Sequence, residues 1–127
     1  MAILGLGVDI VELARIERLY ERHGEAFLRR FCRPGEWQER RGAAFVQHLG
    51  GLFAAKEATL KALGTGWAQG LGLRQIEVVR DAGGAPGVRL HEAAAERAEK
   101  MGAGRVHVSI SHERTHAVAV AVLESVE

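Results

Sequence analysis

The chain has 127 residues, 17 of them basic and 16 acidic, and its formal net charge of +1 argues against a global field suited to nucleic acid or an anionic membrane. A single cysteine, Cys32, excludes an internal disulfide and every zinc site that needs two thiolates, and it points to a reducing compartment. The length suits one domain around one core, and the opening MAILGLGVDIVEL, with Asp9 and Glu12 and no basic leader, reads as neither signal peptide nor membrane span, so a cytoplasmic chain is expected.

The first element is a strand. In ILGLGVDIV the residues Leu4, Leu6, Val8 and Ile10 alternate with Gly5, Gly7 and Asp9, the period of two that predicts a strand with one buried face. Asp9 falls on the glycine side, where absent side chains let a second backbone or a ligand approach. Two readings of Asp9 stand open: a carboxylate facing a cleft, or an aspartate that ends a strand.

From Glu12 the period changes, with Leu13, Ile16, Leu19 and Tyr20 at helical spacing until Gly24. Arg15, Arg18 and Arg22 form one polar stripe on this helix, and Arg29 and Arg30 sit in a second short helical run. Such a stripe is either a solvated face or a docking strip for an acidic helix of a partner. RPGEW, Arg33 to Trp37, is turn chemistry, and a long helix is predicted from about Ala43 to Leu63.

A loop containing GTG and WAQGLGL follows, then RQIEVV and VRL around the turn DAGGAPG, a predicted hairpin. HEAAAERAEKMG reads as a helix closed by Gly102. RVHVSISH, ERT and HAVAVAVLE read as a second hairpin, whose last strand, rich in Ala and Val on both faces, should be central or covered on both sides. The order strand, helices, hairpin, helix, hairpin lacks the alternation of a parallel doubly wound sheet. The expected fold is α+β: a mainly antiparallel sheet packed against helices in one domain spanning 1–127.

The long helix carries charge in an apolar setting. At ~100° per residue, Leu49, Leu52, Phe53, Leu60 and Leu63 share one arc with Lys56 in its middle. That lysine must snorkel to the surface or meet an anion. Glu57 and Lys61 stand four apart, which suits a surface ion pair of about 0.2–0.5 kcal/mol. The same helix runs into GTG, whose amides suit phosphate oxygens, yet no GxxxxGK[ST] is present and GLGVDI has Ile10 where the dinucleotide pattern needs its third glycine. Asp9 and Glu57 with Lys61 nearby compose instead a hard-cation site of the kind Mg²⁺ prefers, with one or two carboxylates, water and phosphate oxygens, and that set suits pyrophosphate chemistry.

With these residues in view, the chain resembles the holo-acyl-carrier-protein synthases, small members of the 4'-phosphopantetheinyl transferases. The motifs are GLGVDIVELARI at Gly5 to Ile16, FAAKEATLKALGTG at Phe53 to Gly66 and VSISHE at Val108 to Glu113, whose order and spacing span nearly the whole chain. The resemblance implies transfer of the phosphopantetheine arm of coenzyme A to a serine of apo-acyl carrier protein, with release of adenosine 3',5'-bisphosphate. It also implies Mg²⁺ and a homotrimer with sites between subunits. By position it makes Asp9 and Glu57 the metal ligands, Lys61 the pyrophosphate contact, and Gly64 and Gly66 part of the coenzyme pocket, with Ser111 and His112 near it. Arg15 and Arg22 become the docking surface for the acidic helix of the carrier. Two positions depart from the family pattern: Leu52 stands where Arg often precedes FAAKEA, and Trp67 where a smaller residue is usual.

Chemically, the metal and Lys61 would stabilise charge on the leaving bisphosphate, while Glu57 or water bound to the metal would take the proton of the attacking serine. His112 has the alternative of a strand-end histidine bonded to backbone, and His107 shares the side of Ser109 and Ser111. A second function class remains, a non-catalytic module that holds an acidic helix or RNA through its arginine stripe. Aromatic residues at 6% of the chain argue against an RNA surface built on stacking.

Overall fold

The computed structural model describes residues 1–38, 42–64 and 70–126. In chain order these form β1 (Ile3–Glu12), α1 (Leu13–His23), α2 (Glu25–Phe31), α3 (Gly42–Leu63), a 3₁₀ turn (Leu73–Gln75), β2 (Ile76–Arg80), β3 (Pro86–Leu90), α4 (Glu92–Met101), β4 (Ala103–His112) and β5 (His116–Ser125). β1, β5 and β4 make a three-stranded antiparallel sheet in that order, and β2 pairs with β3 as an antiparallel hairpin. The α+β expectation holds, and β5 is the central strand as its composition suggested.

β1 buries one face, and it is the glycine face that is covered, by a second backbone, while Leu6, Val8 and Ile10 stand 68%, 55% and 66% exposed. The register explains it: Gly5, Gly7, Asp9 and Val11 lie in rows with Leu123, Ala121, Ala119 and Ala117 of β5, a shelf of small side chains. Across that shelf α3 approaches so closely that a methyl group on Gly5 or Gly7 would run into the carbonyl oxygens of Ala62 and Ala58. Glycine here admits a helix backbone, and the van der Waals contact is made by the main chain itself.

α3 is the spine of the core. Leu49, Leu52, Ala54, Ala55, Ala58, Leu60, Ala62 and Leu63 are buried, and the burial of each leucine stabilises the fold by about 1.5–3 kcal/mol. Leu52, at the position where the family often carries arginine, is core. α1 packs on α3 through buried Ile16 and an edge-on contact of Tyr20 with Phe45, ring centroids 5.0 Å apart. α2 closes the other flank through Phe27, Leu28 and Phe31. Burial in this region pushes the Cys32 thiol up to about 12, which leaves it protonated and inert near neutral pH.

Candidate active site

Two edges meet where β1 passes the C-terminal half of α3. Gly7 abuts Ala58, and Val11 lies by Gly50, so Asp9 faces the intervening stretch of α3 that carries Glu57. From the next turn Lys61 donates from Nζ to Asp9 Oδ1 at 3.1 Å and to the carbonyl oxygen of Val8 at 3.0 Å. The lysine side chain is 53% exposed while that of Asp9 is 16% exposed, so the pair has a wet end and a dry end. Beyond the helix that carries it, the lysine bridges to a strand residue 52 positions away. Lys61 therefore ties the helix to the strand.

Glu57 is half-buried and lines a groove of about 800 Å³ together with Arg15, His23, Arg30, Phe31 and Phe53. Arg15 of the stripe thus shares a groove with a predicted site carboxylate, whereas Arg22 stands exposed on α1 outside it. Arg18, the middle residue of the stripe, lies 3.7 Å from Glu12 at the surface. His23 and Arg30 were not predicted to join Glu57. The signal for Arg30 lay in the second basic helical run, but only the packing of α2 beside α1 brings that run to the groove.

Gly64 ends α3 in the left-handed region, φ +80°, its amide donating to the carbonyl of Lys61 at 3.0 Å. That conformation strains any residue with a Cβ. Gly66 and Trp67 lie outside the described residues.

Ser111 and His112 end β4 on opposite faces. Ser111 shares the open face with His107 and Ser109, in register with Val118, Val120 and Val122 of β5. His112 lines a second groove, about 500 Å³, with Gln38, Gln47, His48 and Arg80. β1 and β4 are the two edges of the sheet with β5 between them, so within one chain His112 is held about two strand spacings, ~10 Å, from the edge that carries Asp9.

Lys56 does not snorkel. It is fully buried, donating to Glu36 Oε1 at 2.8 Å and to the carbonyl oxygens of Ile76 at 2.5 Å and Leu73 at 3.2 Å. Glu36 in turn accepts from the Arg33 amide through Oε1 and from the Val78 amide through Oε2. Burial lowers the affinity of Lys56 for its proton, and the Glu36 carboxylate opposes that effect. The sequence signal was present in an ammonium on an apolar arc, which demands an anion, but the partner sits 20 residues away in a turn.

Asp9 and Glu57 offer two oxygen-donor groups on facing elements. No cluster of three or more His, Cys, Asp or Glu side chains suited to a metal occurs among the described residues. Zinc-like closure is thus not built into them, whereas a cation that takes two carboxylates and fills its remaining positions with water and substrate oxygens fits the donor set.

Comparison with known proteins shows the family of the chain. A model of the 4'-phosphopantetheinyl transferase superfamily matches residues 5–121. A holo-(acyl-carrier-protein) synthase of Yersinia enterocolitica is 48% identical over 126 residues, covering 98% of this chain and 100% of that one. The corresponding synthase of Neisseria meningitidis superposes with a TM-score of 0.87 at 38% identity, over 98% of this chain and 100% of that one. That of Helicobacter pylori, solved in complex with coenzyme A, gives 0.79 at 32% identity, over 94% and 99% of the two chains.

Proposed function

The chain belongs to the 4'-phosphopantetheinyl transferase superfamily, and on that premise we propose which of its residues and partners carry the reaction. It is a holo-acyl-carrier-protein synthase by activity: it transfers the 4'-phosphopantetheine arm of coenzyme A to a serine hydroxyl of apo-acyl carrier protein and releases adenosine 3',5'-bisphosphate. The observation that carries the site assignment is the contact of Lys61 with Asp9, which sets a half-exposed ammonium beside a carboxylate at the mouth of the α3–β1 seam.

Asp9 and Glu57 would hold Mg²⁺, which when bound neutralises pyrophosphate charge. Lys61, its half-exposed ammonium held by Val8 and Asp9, would stabilise the charge that grows as the bond to the leaving bisphosphate breaks. Glu57, or a water beside it, takes the proton of the incoming serine. Gly64 and Gly66 border the coenzyme, and Arg15 and Arg22 receive the acidic helix of the carrier. The placement of Arg15 in the groove of Glu57 supports docking next to the chemistry.

The active form is a homotrimer with sites between subunits. Two features support that reading. The open face of the sheet presents Leu6, Val8 and Ile10 beside Val120, an apolar surface that another copy would cover. His112 and Ser111 lie toward one sheet edge and Asp9 with Lys61 at the other, so a coenzyme pocket that uses both sets draws them from two copies. All 127 residues act as one transferase domain, in the cytoplasm; among the described residues no helix is long and apolar enough to cross a membrane. The non-catalytic alternative, an RNA or helix-binding module, accounts for neither the family membership nor the Asp9 and Lys61 contact.

The test is to incubate the protein with coenzyme A, Mg²⁺ and an apo-carrier protein and weigh the carrier. We expect it to gain one phosphopantetheine arm, and Glu57→Gln to slow that gain at least a hundredfold, in the range seen when one charge-stabilising group is lost. A Glu57→Gln rate equal to that of the unchanged protein would remove Glu57 from the site.

A further inference from the structure

Helix α3 delivers Glu57 and Lys61 in its last two turns and stops at Leu63, so its final carbonyls need donors from elsewhere. Gly64 turns back to satisfy Lys61. The carbonyl of Leu63, a residue with no exposed surface, is met from a different element: Arg97 of α4 donates from Nε at 2.9 Å. The same guanidinium lies over Gly64, its Nη2 3.6 Å from the point a Cβ there would occupy. Arg97 is itself half-buried, and its positive charge sits at the negative end of the helix dipole, where a cation is favoured.

We propose that Arg97 is a positioning residue for coenzyme binding, a clamp that fixes the end of α3 and the place of Gly64 behind it. This inference rests on the assignment of Lys61 and Gly64 to the coenzyme pocket. Lys61 lies two residues before the clamped carbonyl and Gly64 one residue after it, so a single side chain holds the spacing between the ammonium and Gly64. Binding of a pyrophosphate between such groups depends on that spacing, and small displacements of positioned groups carry large penalties. The carrier protein docks at α1 in the proposed reading, away from α4, so its recognition does not pass through Arg97.

The experiment is steady-state transfer with Arg97→Ala and Arg97→Lys, varying coenzyme A and apo-carrier separately, together with thermal melts of each variant. Arg97→Ala should raise KM for coenzyme A about five- to tenfold while KM for the carrier, and kcat at saturating coenzyme A, stay within about twofold. Arg97→Lys, which keeps a cationic donor for the Leu63 carbonyl, should recover most of the loss. Unchanged KM for coenzyme A in both variants, or a fall of every parameter in proportion to the unfolded fraction, would overturn the proposal. Failure of the unchanged protein to transfer any arm would instead overturn the parent reading, and the role of Arg97 with it.

Discussion

Lys56 and Lys61 are five residues apart on one helix, ~140° around its axis, and they have opposite fates. Lys56 is sealed in the core with a carboxylate and two carbonyl oxygens around it, and it joins α3 to the turn at Glu36 and to the hairpin at Ile76. Lys61 is half-exposed, holds β1 by one carboxylate and one carbonyl, and keeps donor capacity toward solvent. A buried charge whose bonds are all made within the protein has nothing left for a ligand, and its removal exposes the cost of desolvation. A charge at a wet rim contributes little to stability and is free to act on a substrate. Residue type is the same in both cases, and water access separates structure from chemistry.

The sharpest way to break this contrast is Lys56→Met. It strands the Glu36 carboxylate in the core, and we expect a loss of about 3–5 kcal/mol in urea unfolding, with part of it restored when Glu36→Gln is added. A loss below about 1 kcal/mol would mean that the pair is not the anchor described. Next in size is Lys61→Ala, which should leave the unfolding midpoint within the range of a surface substitution while slowing transfer about 10²–10³-fold. If the two lysines exchanged these signatures, the division between structural and chemical charge would be wrong.

Val8 lends its carbonyl to Lys61 while its side chain points out from the sheet, so Val8→Asp sharpens the comparison from the other side. The substitution keeps the backbone acceptor but places charge on the apolar face. Light scattering should report dissociation of the proposed trimer with the circular dichroism spectrum retained, and an unchanged mass would remove this face from the assembly. The smallest effect belongs to Glu113 in the β4–β5 turn, where the Thr115 hydroxyl and the amides of Thr115 and His116 hold its carboxyl down to about 2. A depressed carboxyl stabilises above its unfolded value of 4.5 and loses that contribution as pH falls toward 2. The margin of the native chain over Glu113→Gln in urea melts should therefore be full at pH 6, reduced at pH 3 and gone below about 2.

Much of the fold was legible because its signals are local. The period of two in GLGVDI, the long helix ending before GTG, the glycine closing HEAAAERAEKM and the turn in SISHERTH each report how neighbouring residues sit on one element. The candidate site was legible in its residue types but not in its contacts. Spacing on one helix gives no sign that Lys61 reaches Asp9, a contact made because a helix packed on a glycine strand brings that strand nearer than an ordinary side-chain layer would. The partner of Lys56 and the clamp at Leu63 were illegible for a related reason: Glu36 lies 20 residues before its lysine and Arg97 lies 34 residues after its carbonyl.

By itself the sequence determined the order and kind of the elements, the acidic and basic residues suited to a metal and a pyrophosphate, and the membership of one transferase superfamily. Tertiary structure alone decided which face of β1 is covered, that one lysine is core and the other a rim, and that Asp9 and His112 stand at opposite edges of a single sheet. Periodicity records the geometry of a chain against itself within a few residues. Which surface is dry, and which charges meet, depends on the packing of segments far apart in the chain, and small residues such as Gly5, Gly7 and Ala119 decide that packing by the contacts they allow.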